Sequence, residues 1–301
     1  MAGKFRQIQK KILSIKSTVK ITRAMELVAA SRIVKAQNRL GQARPYAGRI
    51  RQAIQELAGV SEVATEFPLL KPRPEIKTTG IVVITSDRGL AGSYNSNVIK
   101  IGDILLGEAS SAGRETKLYV VGKKGLSSFK FRGFPIHWDV QGISDTPRFE
   151  DAETLGDLLV KDFIDGSLDE VRIAYTEFRS AGSQVARSIQ ILPIQKEELG
   201  IDDQAPKITP LYEFEPEPGV ILSQLLPRYV NTVIFACLLE SSASEHAARR
   251  RAMKAATENG EELAKLYTRI ANRERQAEIT NEIMEVVGGA EALQEKEEAG
   301  V

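Results

Sequence analysis

The residues of this chain best suited to chemistry lie in two glycine-bearing turns. Thr85-Ser86-Asp87-Arg88-Gly89-Leu90-Ala91-Gly92 follows an apolar run that reads as a first strand, where an α/β protein holds a nucleotide. The turn nevertheless lacks the G-x-G-x-x-G spacing, and no G-x-x-x-x-G-K-[ST] occurs in the chain. Gly122-Lys123-Lys124-Gly125, after a second apolar run, offers glycine and cation but is an equally weak phosphate cradle. Structural turns account better for both. Asp87 with Arg88, and Glu177 with Arg179, have the composition of acid–base pairs, but no nucleophile, histidine or second carboxylate is arranged around them. They read as turn-stabilising or solvated ion pairs.

Other chemistry is bounded by composition. One cysteine, Cys237, excludes an intramolecular disulfide and a cysteine-rich zinc cluster, and its apolar neighbours make it a core thiol. Two histidines, His137 and His246, leave little for histidine-based metal or catalytic sites, and each reads as a surface or packing residue. The longest uninterrupted apolar stretch, Val233 to Leu239, falls short of the roughly 20 residues that cross a bilayer, so no span is predicted. The net charge of +1 conceals an asymmetry: residues 1–59 are strongly basic, with Glu26 and Glu56 as their only acids, whereas the last segment leans acidic.

The elements that would position these turns are dominated by helix. From Ile8, steps of four and three give Ile12, Ile15, Val19, Thr22, Glu26, Ala29, Ile33, Ala36, Leu40, Ala43, Ala47, Ile50, Ile54 and Leu57, a sustained heptad broken only at Thr22 and Glu26. Four alanines make the seam slim, so a partner helix can approach closely while burying little area per turn. Pro45 removes one backbone donor and predicts a kink near Gly41 to Pro45. A second helix, residues 220–288, follows an acidic Pro-rich linker, 196–219, and should stop at Gly288-Gly289, leaving a charged tail, 289–301. Its later half repeats the spacing at Met253, Ala256, Gly260, Leu263, Tyr267 and Ile270, then Ala277 and Met284 with polar Glu274 and Asn281 between. A first helix of about 55 residues is about 80 Å long. A compact globule of this size is only about 50 Å across. The two terminal helices therefore pair as a projecting coiled coil.

Between them, Gly80 to Thr85 and Lys117 to Val121 read as buried strands, and Glu170 to Phe178 with Gln184 to Leu192 as an antiparallel hairpin about Arg179 to Ser183. The predicted fold is α/β: a long antiparallel coiled coil of N- and C-terminal helices, the first spanning 1–59, with a small Rossmann-like α/β domain inserted at 76–195.

Three stretches then become specific. Lys20-Ile21-Thr22-Arg23-Ala24-Met25-Glu26-Leu27-Val28-Ala29-Ala30-Ser31-Arg32 followed by Arg44-Pro45-Tyr46 resembles the N-terminal helix of the gamma subunit of F-type ATP synthases. Leu226 to Val230, Ala252 to Gly260, and Arg275 to Glu285 with Ile279-Thr280-x-Glu282-x-x-Glu285-x-x-x-Gly289-Ala290 are similar to the same family's C-terminal helix. Ser86 to Gly92 with Asn95 matches as well, except that Ala91 stands where many relatives carry cysteine. The resemblance covers nearly the whole chain in order.

It implies a non-catalytic rotor shaft, set in a hexamer of alternating alpha and beta subunits, with the α/β domain near the membrane. ATP chemistry would lie in the beta subunits, and no cofactor is expected here. Proton flow through the membrane c-subunit ring would turn the shaft and carry each catalytic site through successive conformations. Arg23 and Met25 fall where the family shaft meets the beta-subunit lever, and Arg275, Gln276 and Thr280 where it meets the catch loops. Tyr212 and Glu213 would face the membrane ring or the epsilon subunit. A dithiol switch of the plant type needs two cysteines and is not expected. Large apolar side chains should sit in the seam of such an axle, not on its outer face. With no recognisable cleavable leader, the expected location is the cytoplasmic face of a bacterial cell membrane, held peripherally through the complex.

Two alternatives are distinct in kind. The basic first helix suits a coiled-coil nucleic-acid-binding protein, although neither an aromatic platform nor a recognition motif accompanies it. A small nucleotide-dependent enzyme would require the middle domain to bind nucleotide by itself.

Overall fold

The computed structural model describes residues 2–60, 67–200 and 215–298. The chain opens with helix α1 (Ala2–Val60) and closes with helix α6 (Pro218–Glu298). Between them lie β1 (Thr78–Ile84), α2 (Tyr94–Ser111), β2 (Glu115–Val121), α3 (Lys123–Phe131), β3 (Ile136–Val140), α4 (Phe149–Ile164), β4 (Glu170–Phe178), β5 (Gln184–Leu192) and the short α5 (Lys196–Leu199). These residues group into two compact units. One spans Ala29–Arg250; the other joins the chain up to Val28 with the chain from Arg251 onward.

The larger unit is built on a five-stranded sheet of order β3-β2-β1-β4-β5, in which the first four strands run parallel and β5 is antiparallel on the edge. Central β1 is an unbroken Ile81-Val82-Val83-Ile84 run, buried throughout, as a parallel strand covered on both faces requires. The hairpin occupies the predicted residues, and β1 and β2 each begin two residues earlier than predicted. The edge strand β3 is not among the strands read from the sequence. Its five residues, I-H-W-D-V, sit between Pro135 and Gln141-Gly142 and give too short an alternation to stand out.

One face of the sheet packs Ile81, Val83, Leu118 and Val120 against Val98, Leu105 and Phe129 of α2 and α3. The other packs Val82, Ile84, Tyr119 and Val121 against Leu155, Leu159 and Phe163 of α4. Into that second core run Ile50, Ile54 and Leu57 of α1 and Leu222, Leu226, Val230 and Ile234 of α6. Burying each such side chain stabilises the fold by about 1.5–3 kcal/mol, so these helix segments belong to the sheet's core. This burial also explains a hydropathy that sequence reading passed over. Part of α6 is long and apolar enough by composition to cross a membrane, yet its aliphatic stripe and Cys237 pack in this core.

Along α1 every predicted heptad position from Ile8 to Leu57 is buried or half-buried. The helix continues through Pro45. In the larger unit Ile33, Ala36 and Leu40 meet Leu239, Ala243 and Ala247, with Phe178 alongside. Among the described residues, the smaller unit contains only helix. There α6 corrects the predicted seam in phase: the inward positions are Met253, Thr257, Gly260, Ala264, Tyr267, Ala271, Glu274 and Glu278, whereas Leu263 and Ile270 are exposed. Alternate predicted positions, Ala256, Leu263, Ile270 and Ala277, fall one residue early, because phase is set by the close approach of the partner helix, as at Gly260 against Val19. Nor does α6 stop at Gly288-Gly289. Both glycines are helical and the helix runs on to Glu298, since glycine permits a left-handed cap without imposing one.

Gly122 stands where β2 gives way to α3, at φ +92°, and a Cβ there would lie 2.2 Å from the Thr85 carbonyl oxygen. Gly122→Ala therefore meets both a left-handed backbone and a main-chain collision. It is expected to lower unfolding stability by about 3 kcal/mol or more, measured by urea denaturation. A neighbouring exposed change, Lys123→Ala, should leave the midpoint within error.

Candidate functional site

In a sheet of order 3-2-1-4-5 the crevice outside the carboxyl ends of β1 and β4 is where a doubly wound protein takes its ligand. Here α6 occupies it. Ser241 Oγ accepts from the Thr176 N–H (3.4 Å), Ser244 Oγ donates to the Thr176 carbonyl (3.2 Å), and a Glu240 carboxylate oxygen accepts from the Phe178 N–H (3.3 Å). One turn further, buried Arg249 pairs with buried Glu245 at 2.5 Å and donates to the Gly89 carbonyl at 3.2 Å. Burial pushes the Glu245 carboxyl up from its ordinary range, and Arg249 opposes that shift. The side chains that fill the crevice come from the chain's own C-terminal helix.

The two sequence turns are absorbed into the same joint. Asp87 accepts from the N–H groups of Lys123 and Ser144, each at 3.1 Å. Arg88 faces Asp145 at 3.7 Å. Asn95 accepts from the Ser86 N–H at 2.9 Å. Gly125 donates to Thr85 Oγ1 at 2.8 Å, and a Cβ at Gly125 would come within 2.8 Å of that side chain. The glycines of the second turn thus serve close backbone packing. Glu177 bonds Arg179 (3.1 Å) and Arg187 (3.5 Å) on the hairpin. Burial pushes the Cys237 thiol well up, as for a core cysteine. His246 is buried as well, and its Nε2 lies 3.3 Å from the Asp145 carbonyl oxygen. Sequence reasoning missed Ser144, Asp145, Glu245 and Arg249. They stand up to about a hundred residues apart, and no local spacing links them.

The residues predicted to meet partners, as far as they are described, lie in the helical unit. Its seam is antiparallel and narrow: Thr22 and Thr257 share a buried 2.7 Å hydroxyl bond, and a Cβ at Gly260 would come within 2.6 Å of Val19 Cγ2. Lys11 covers the Tyr267 ring at 5.8 Å, and Lys4 pairs with Glu274 at 2.8 Å. Arg23 is exposed and pairs with Glu261, and Met25 is half-buried beside it. Arg275, Gln276 and Thr280 are all exposed, and Thr280 Oγ1 donates to the Gln276 carbonyl at 2.9 Å. On α6, Arg275 lies 14 residues, about 21 Å of helix, beyond Glu261, the partner of Arg23. The structure therefore forms two clusters rather than one site. Tyr212 and Glu213 lie outside the described residues.

The outer face departs from expectation. Leu13, Ile21 and Leu27 of α1 are exposed, as are Ile279 (43%), Ile283 (57%), Met284 (68%) and Val286 (72%) near the end of α6. The register that pairs Lys4 with Glu274 carries the end of α6 past the start of α1, and residues 281–290 are exposed at every position. A cluster of this kind marks a surface for a partner.

The family model described as ATP synthase matches residues 4–293. The chain is 47% identical over 299 residues to the ATP synthase gamma chain of Frankia casuarinae, covering 97% of this chain and 99% of that one. It is 45% identical over 298 residues to the gamma chain of Kineococcus radiotolerans, covering 97% and 98%. Among solved structures it is similar to a chain of the Tetrahymena thermophila mitochondrial ATP synthase central stalk and c-ring, at 28% identity and TM-score 0.59, over 78% of this chain and 99% of that one. A chain of the Euglena gracilis mitochondrial ATP synthase shares the fold at 16% identity and TM-score 0.68, over 100% and 98%.

Burial holds the His246 imidazole down to about 4, with the Asp145 carbonyl and carboxylate opposing and the Arg249 and Arg32 charges assisting. An unfolded histidine titrates near 6.5, so between those values the unfolded chain binds the additional proton and stability falls with falling pH. The loss from pH 7 to pH 4 should approach about 3 kcal/mol. In urea unfolding of the purified chain, His246→Gln should flatten that part of the stability profile. An unchanged slope would show that His246 is not its source.

Proposed function

The chain belongs to the ATP synthase gamma-chain family, and from that premise we propose that it is the central rotor shaft of the complex. In this role it transmits proton-driven rotation of a membrane c-ring to the catalytic beta subunits, and it performs no catalysis itself. The observation that carries the reading is the helical unit: a narrow antiparallel pair whose outer face presents unburied apolar and basic side chains. The seam keeps Ile8, Ile12, Ile15, Val19, Met253 and Tyr267, while Ile279, Ile283, Met284 and Val286 are left to a surround.

Coupling by such a shaft requires contacts that differ between the sites it faces, because only a differential interaction shifts one site relative to another. Arg23 and Met25 would supply such contacts to the beta-subunit lever, and Arg275, Gln276 and Thr280 to the catch loops. The exposure of Arg275, Gln276 and Thr280 supports this assignment. The alpha and epsilon subunits complete the set of partners, and Tyr212 with Glu213 would face the epsilon subunit or the ring. The division of labour proposed is a shaft made of the terminal helices, Ala2–Val60 and Pro218–Glu298, and the sheet domain (76–195), on the cytoplasmic face of a bacterial membrane. The relatives named above are all ATP synthase chains, which favours this reading over a nucleic-acid-binding coiled coil.

Arg275→Ala combined with Gln276→Ala is expected to lower coupled ATP turnover in the reconstituted complex about tenfold, the effect of losing about 1.4 kcal/mol of coupling. The isolated chain should keep its native unfolding midpoint, because both side chains are exposed. Native turnover by the double variant would remove these residues from the contact.

A further inference from the structure

The loop between β3 and α4 is tied to more parts of the larger unit than its sequence suggests. The Asp145 carboxylate takes Arg32 of α1 at 2.5 Å and Arg88 of the β1 turn at 3.7 Å. Its main-chain carbonyl accepts from Ser242 Oγ of α6 at 3.1 Å and faces His246 Nε2 at 3.3 Å. Next to it, Ser144 exchanges two bonds with Asp87: its Oγ accepts from the Asp87 N–H at 2.9 Å, and its own N–H donates to the Asp87 carboxylate at 3.1 Å. Two consecutive residues thus join both terminal helices to the sheet domain.

The packing around them shows why such a joint matters. Where the two helices meet in this unit, the contact is Ile33, Ala36 and Leu40 against Leu239, Ala243 and Ala247. Apolar contact of this kind is non-directional. It opposes separation but offers little resistance to a helix sliding or turning about its own axis, least of all over alanine. A charged hydrogen bond is directional, and a part-buried one with defined partners fixes register. Burial draws the Asp145 carboxyl upward, but the Arg32 hydrogen bond and the Arg32, His246 and Arg88 charges outweigh it and hold the group below its usual range. It is therefore ionised at neutral pH.

We propose that Asp145 is the torsional staple of this chain, a positioning residue that locks α1 through Arg32, and α6 through the Asp145 carbonyl, to the sheet domain so that turning one turns the others. This deepens the shaft reading and rests on it. Nothing in the predicted partner contacts calls for Asp145, which carries load within the chain.

The test uses the full chain reconstituted with its partner subunits in proteoliposomes. ATP-driven proton pumping is read at matched ATP hydrolysis, together with the torsional stiffness of single rotors. Asp145→Asn and Arg32→Gln should each soften the rotor and reduce pumping per ATP. The double variant should be no worse than the more affected single, because both remove one contact. Asp145→Glu should restore pumping. Native stiffness and pumping in both single variants, or losses that add in the double, would overturn the staple. If Asp145→Asn does not fold, Arg32→Gln reads the same contact from the helix side, and native behaviour of that variant overturns it equally. Failure of the unaltered chain to rotate with catalytic subunits would instead overturn the shaft reading.

Discussion

The larger unit depends on the seating of α6 across the carboxyl ends of β1 and β4. A Rossmann-like sheet leaves a crevice there, with main-chain donors and acceptors at the strand ends that must find partners. Most folds of this order answer with a ligand or with water. This chain answers with Ser241, Ser244, Glu245 and Arg249 from its last helix, so the sheet and the terminal helix complete each other. Arg249 and Glu245 satisfy one another in a place where either charge alone would be costly, on the order of 3–5 kcal/mol for a broken buried pair. The pair lies within α6, four residues apart, so it is the bond from Arg249 to the Gly89 carbonyl that ties this turn of the helix to the turn after β1.

From that constraint the division of α6 into different kinds of surface follows. Its first third is aliphatic and enters the sheet core through Leu222, Leu226, Val230 and Ile234. Its middle is small and polar, SSASEH, because hydroxyls and a carboxylate must reach strand ends at short range. Beyond Arg251 it packs α1 through Thr257, Gly260 and Ala264, where the approach is too close for leucine. The same helix therefore changes from packing by volume, to packing by hydrogen bond, to packing by absence of side chain.

Legibility in the sequence followed the range of the interaction. The α1 seam, the buried strands β1 and β2 and the hairpin depend on local periodicity, and they stand where the pattern places them. The α6 seam was legible in period but not in phase. Period is set by the helix, whereas phase is set by what the partner helix can accept, and Val19 against Gly260 admits no larger residue. The short β3 was hidden because five alternating residues carry little signal. The joint of Asp87, Ser144, Asp145 and Arg249 was hidden for a stronger reason: each residue reads as an ordinary turn or surface charge until the topology brings them together. The family motifs pointed to the ends of the chain and to the first turn, but motif strings do not say which charges face inward.

The exposed end of α6 follows from its length: with Lys4 facing Glu274, the helix runs on past the start of α1, and residues 281–290 are exposed at every position. Replacing leucine by alanine, glycine and threonine along a helix pair gives up much of the apolar area that would hold it together, at about 25 cal/mol per Å². Past the start of α1, Ile279, Ile283, Met284 and Val286 are exposed and can be buried only against something else. Those side chains give the end of α6 a surface whose burial depends on its surround. This dependence is what a part needs if it is to move among partners and respond to each of them.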